Sequence, residues 1–171
     1  MENFTNETIN TKQLPRFEEV VYTSMNKNYW KVTLLNSAIF FIILGIALVF
    51  GLFFIAEMKP NRALFVVLYF VILVSTVFFL RLGFLKKGYA FRNHDVLYKC
   101  GLVALKSMVI PYNRVQHVAL HEGFISRIFG LATVEIFTAG GSSSDLEIPG
   151  IPKEEAENIK QLLMGKIQKQ L

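Results

Sequence analysis

The sequence predicts a membrane α-helical hairpin joined to a mostly-β domain. Three observations carry this: two long uncharged apolar runs, the placement of Lys and Arg around them, and a change after Arg81 to short alternating segments. Of the 171 residues 53% are hydrophobic, with a mean hydropathy of +0.41, and the apolar excess is concentrated in the first half.

Residues 32–56 and 63–80 contain no charge and number 25 and 18. As helices they would reach about 37 and 27 Å, against a hydrocarbon layer of about 30 Å. A cleaved secretory signal does not fit the first run, because a long polar stretch precedes it and no small-residue cleavage pattern follows. The connection Glu57-Met58-Lys59-Pro60-Asn61-Arg62 is short and carries turn formers, so the helices are expected to be antiparallel neighbours. Ala47 and Gly51 form a small-xxx-small pair that suits close backbone approach. Neither run holds an ionisable side chain, which argues against a proton or ion pathway inside the hairpin.

Basic residues resist translocation, so their count orients the hairpin. Lys12, Arg16, Lys27 and Lys31 precede the first run, Lys59 and Arg62 lie in the loop, and Arg81, Lys86, Lys87 and Arg92 follow the second. The bias places both termini in the cytoplasm. It divides the chain into a cytoplasmic segment 1–31, the hairpin 32–80 and a cytoplasmic domain 82–171. The cluster Arg81, Lys86, Lys87 and Arg92 is expected to meet anionic lipid head groups, at about 1 kcal/mol per basic residue near the surface.

Beyond residue 88, apolar segments alternate with turn signals, as in an antiparallel sandwich or barrel. Strands are expected at residues 89–92, 96–100, 103–110, 114–122, 132–138 and 146–148. Asn93-His94-Asp95, Gly101, Pro111-Tyr112-Asn113 and the Gly140-to-Asp145 stretch supply the joints. Ala132, Val134 and Ile136 mark one dry face; Val96, Tyr98 and Cys100 mark another, opposite Leu97 and Lys99. The lone Cys100 is most simply a small core residue. A final helix follows Pro152, with Glu154 and Glu155 near its start, Lys166 and Lys169 near its end, and an apolar stripe of Ala156, Ile159, Leu163 and Ile167 beside Leu162. That stripe is expected to close one end of the β domain.

The segment Val109-Ile110-Pro111-Tyr112-Asn113-Arg114-Val115-Gln116-His117-Val118, then Arg127-Ile128-Phe129-Gly130-Leu131-Ala132, then Phe137-Thr138-Ala139-Gly140-Gly141, resembles the bacterial pleckstrin-homology-like family, and more closely its YdbS-like membrane branch. The resemblance implies a two-sheet β barrel or sandwich of about seven strands with a C-terminal capping α-helix, one strand more than the pattern above yields. It also implies a bacterial cytoplasmic membrane. The motif's polar members are Arg114, Gln116 and Arg127. They are read as struts that hydrogen-bond the loops or, alternatively, as contacts to a partner or an anionic surface. Gly130, Gly140 and Gly141 are expected at turns.

Catalytic chemistry finds little support. His117 and His121 share a strand face about 13 Å apart, too far for one metal held at about 2.0–2.1 Å from each nitrogen. Ser142-Ser143-Ser144 lacks the strand-turn-helix setting of a nucleophile elbow, and the glycine-serine loop lacks phosphate-loop spacing. No catalytic, cofactor or metal residue is assigned. The net charge of +5 forms no basic stripe with interleaved aromatics, so nucleic acid is not expected. The first hairpin of the β domain holds Arg92, His94 and Lys99 among neutral residues and Asp95, and phosphoinositide binding is not carried over from eukaryotic pleckstrin domains. The expected function is a membrane-anchored, non-catalytic module that recruits or stabilises a partner membrane protein; the resemblance implies a larger protein bearing several such domains, and a homo-oligomer stays open. The competing classes are a membrane-surface enzyme and a small subunit of a transport complex.

Overall fold

A computed structural model describes residues 20–139 and 144–168. The Gly140, Gly141, Ser142 and Ser143 loop, Lys12, Arg16 and Lys169 lie outside the described residues.

A two-residue strand β1 (Thr23–Ser24) leads into α1 (Lys27–Phe54), whose first turn is capped by the Asn26 side chain accepting from the Asn28 amide at 2.8 Å. Helix α1 ends where Ile55 turns extended, and a short 3₁₀ segment (Ala56–Asn61) containing Pro60 hands over to α2 (Arg62–Lys86). At 28 and 25 residues the helices reach about 42 and 38 Å, longer than the apolar runs because each continues past its run on the domain side. Their apolar side chains are overwhelmingly exposed; none of the α2 apolar window is buried in protein. Such exposure along two whole helices is what a lipid environment covers.

The helices are joined by a hydrogen bond at a place the small-residue pattern did not mark. Tyr69 donates its hydroxyl to the Phe41 carbonyl at 2.8 Å, and a Cβ on Gly45 would stand 3.1 Å from that oxygen. Ala47 is exposed, while Gly51 is buried against Met58 of the connection.

The β domain follows directly: β2 (Gly88–Phe91), β3 (Asp95–Cys100), β4 (Lys106–Pro111), a 3₁₀ turn (Tyr112–Arg114), β5 (Val115–His121), α3 (Phe124–Ile128), β6 (Leu131–Thr138), β7 (Leu146–Pro152) and α4 (Lys153–Gln168). Two antiparallel sheets, β1-β2-β3-β4 and β5-β6-β7, enclose a core of Val96, Tyr98, Val134, Ile136, Ile148 and Ile151. Helix α4 plugs one end with Ala156 and Leu163 fully buried and Ile159 and Ile167 packed beside them, as its stripe predicts; Leu162 stays exposed.

Several boundaries differ from expectation, each for a physical reason. The seventh strand is β1, which precedes the hairpin and pairs Thr23 with Tyr89 and Ser24 with Gly88. Its neighbour Met25 is buried in the domain core, so this part of residues 1–31 is built into the β domain. Residues 103–105 are a turn, and β4 begins only at Lys106, because Val103 and Leu105 project into open space rather than onto a sheet face. Strand β7 runs on to Pro152, past the Pro149-Gly150 pair that reads as a strand end. Leu97, opposite the dry face of β3, is itself fully buried between Ala90 and Val109 in the sheet. Cys100 is half-buried at the core's edge.

Candidate functional site

The β domain is fastened to the hairpin by an aromatic seam. Gly150 adopts φ +70° within β7, and the space a Cβ would fill there is taken by Tyr29 of α1, whose Cγ would lie only 2.4 Å away. Lys87 reaches across from the end of α2, with Nζ 3.4 Å from the Tyr29 hydroxyl and 5.2 Å from its ring centre. The next residue of α1, Trp30, packs on Phe84 at 5.7 Å, and the Arg81 guanidinium lies 5.1 Å from the Trp30 ring. Tyr, Trp and Arg at the ends of two apolar helices mark the head-group level.

Below this seam an open groove of about 790 Å³ runs between the domain and the hairpin. Asn36, Thr33 and Thr76 line it from the helices, and His121, Ser126 and Thr133 from the β domain. The lining offers hydroxyl, amide and imidazole groups without a carboxylate or an amine. Among the described residues no three His, Cys, Asp or Glu side chains stand close enough to hold a metal. His117 stacks on Phe137 with ring centres 4.1 Å apart, whereas His121 faces the groove.

The three motif residues do not form one site. Arg114 ends the 3₁₀ turn before β5, and Gln116 sits at a bulge between Val115 and His117; both are exposed at the end of the domain away from the membrane. Arg127 is exposed in the last turn of α3, beyond the other end of β5. The seven residues of β5 separate the groups by about 20 Å at about 3.3 Å per residue. None of the three side chains makes a hydrogen bond or ion pair with another described residue, so the strut reading finds no partner there.

The basic cluster also divides. Arg81 and Lys87 belong to the seam, and Lys86 donates to the Leu102 carbonyl at 3.0 Å. Arg92, grouped with them by its place in the sequence, lies at the far end of β2, away from α2. It grips Asp95 with two guanidinium nitrogens, one at 2.6 Å, closing the β2–β3 turn, and Tyr112 donates to its carbonyl at 2.6 Å.

Ionisation follows the packing. Burial, with a hydrogen bond to Glu155 at 2.9 Å, pushes the Tyr89 phenol well above its ordinary value; burial does the same to Tyr98 and raises Tyr112. The Thr138 hydroxyl and amide, at 2.6 and 2.8 Å, hold the Asp145 carboxyl below the usual carboxylate range. The seam escaped the sequence reading because Tyr29 and Gly150 lie far apart in the chain. Its one local signal was a Pro-Gly pair inside an apolar strand.

The profile of the family described as bacterial PH domain matches residues 32–167, both hairpin helices and the β domain together. The UPF0699 transmembrane protein YdbS of Bacillus subtilis is 32% identical over 72 residues, which cover 42% of this chain. The match spans 43% of that relative's own length. No solved structure matches. With a hairpin of two apolar helices, two antiparallel sheets, a closing C-terminal helix and a family profile that covers most of its length, the chain belongs to the bacterial PH domain family.

Proposed function

We propose that this protein is a non-catalytic interaction module, anchored in the cytoplasmic membrane with both termini inside the cell, that recruits or stabilises a partner membrane protein. The observation that carries the reading is the membrane-distal end of the second sheet. There the side chains of Arg114 and Gln116 stand exposed and unengaged by other described residues, next to the His117–Phe137 stack. Arg and aromatic groups held on a rigid strand are the side chains that dominate protein interfaces. The partner is a membrane protein in this reading, since the seam holds the domain against the bilayer; a larger protein bearing several similar domains fits. Arg127 belongs to the membrane-proximal side and has no part in this contact.

The test compares tagged wild-type chain and Arg114→Glu, purified from detergent-solubilised membranes. The reading expects a co-purifying membrane protein that the variant loses while its melting midpoint is unchanged. No chain enriched over an untagged control, or one retained equally by both, contradicts it.

A further inference from the structure

We infer that the β domain is itself set into the lipid leaflet on its side of the membrane, through two apolar prongs that flank the hairpin. The inference goes beyond the partner reading and does not depend on it.

The first prong is the β3–β4 turn. Gly88, the first residue of β2, pairs with Lys99, so Cys100 and the residues after it extend past the start of β2 toward the side from which α2 arrives. The turn from Gly101 to Leu105 therefore hangs beside the last turn of α2, where Lys86 holds the Leu102 carbonyl. At its tip Val103 is 96% exposed and Leu105 70%.

The second prong is α3. This helix packs against α1, and the groove between them joins Gly123 and Ser126 to Thr33 and Asn36. Those two α1 residues lie about one and two turns deeper than Trp30, roughly 4.5 and 9 Å at about 1.5 Å per residue. They are inside the apolar run that begins at Val32. At that depth Phe124 is 84% exposed and Ile128 67%, four residues apart on one face of the short helix.

Scattered exposed apolar side chains are ordinary on a soluble surface. These four fall as two pairs on the two loops of the hairpin side, whereas Val21, Val109, Leu162 and Met164 are exposed elsewhere on the domain. The turns at the opposite end carry Arg92, Asn93, His94 and Asp95, and Asn113 and Arg114. Basic groups accompany the prongs: Lys86 and Lys106 beside the first, Arg127 between Phe124 and Ile128 on the second. The nearby acid Glu122 is paired with Lys153 at 2.9 Å. Apolar tips with cations beside them, next to two apolar helices, fit the boundary between head groups and acyl chains of an anionic leaflet. The prongs would fix the tilt of the domain and hold its Arg114 end away from the bilayer.

The full chain, with Cys100→Ala, is reconstituted in vesicles of phosphatidylethanolamine and phosphatidylglycerol. Spin labels are attached at Val103→Cys or Phe124→Cys, with Val67→Cys on the hairpin and Lys160→Cys on α4 as references. Because all four side chains are exposed, labelling leaves the packing untouched. The expected result is an oxygen-to-nickel-complex collision ratio at both prongs that matches Val67 and exceeds Lys160 several-fold. A ratio like that at Lys160 overturns the inference. So does shielding from both relaxers, which would show protein rather than lipid covering the prongs.

Discussion

At the residue scale, two glycines with positive φ separate a backbone requirement from a packing requirement. Gly130, at φ +64°, has nothing within 4 Å of the space for a Cβ, so Gly130→Ala should cost only the left-handed penalty of about 1–2 kcal/mol. Gly150→Ala adds a collision with Tyr29 and should cost more, with the excess shrinking in a Tyr29→Ala background; thermal melts of the four variants form the comparison. Equal midpoints for the two glycine variants would reject the seam. Gly130 was legible from its place before an apolar strand, whereas Gly150 was not, because its need arises from a ring in another element. Arg92 shows the same limit, since proximity to the hairpin in sequence could not say that β2 carries it away from the membrane. Asp145 supplies a pH signature. Its folded-state pKa is depressed, so its contribution is present above the ordinary carboxylate value of about 3.9 and is lost as pH falls through the folded value. Asp145→Asn should therefore lower the midpoint at pH near 7, with the gap to wild type closing in acid. A gap independent of pH would mean that the Thr138 bonds do not favour the ionised form.

At the element scale, the sequence predicts a self-sufficient β domain over residues 82–171, and the structure revises that unit. Strand β1 and Met25 belong to it although they precede the hairpin. A fragment of residues 85–171 leaves the outer edge of β2 unpaired and a vacancy where Met25 packs. It should be destabilised by about 2–5 kcal/mol, the usual cost of losing a buried Met side chain, and should self-associate. Denaturant melts of this fragment with and without an added peptide of residues 20–31 test it; a fragment unaffected by the peptide would show that β1 contributes nothing. Periodicity located β3, β5, β6 and α4 closely because their dry faces alternate at the proper spacing. It missed β1, since two residues carry no period. It also placed Val103-Ala104-Leu105 in a strand, because an apolar run looks the same in sequence whether its side chains are buried or exposed.

At the scale of the whole molecule, the hairpin and the β domain share a seam of Tyr29, Trp30, Arg81, Phe84, Lys87 and Gly150, so the anchor also orients what it carries. The apolar runs and the β character were legible because lipid and core burial both demand them from local composition. The site was legible only as a set of polar motif residues, and β5 parts that set between the two ends of the domain. Everything assigned to the protein rests on two helices that cross the bilayer and return, with the domain on one side and the 3₁₀ connection on the other. The most direct measurement uses Cys100→Ala chains bearing Asn61→Cys in the connection or Lys160→Cys on α4, treated with a membrane-impermeant thiol reagent. Asn61→Cys should be labelled on intact cells and Lys160→Cys only after lysis. Labelling of both positions from the same side would contradict the spanning hairpin, and the reverse pattern would contradict the cytoplasmic placement of the domain.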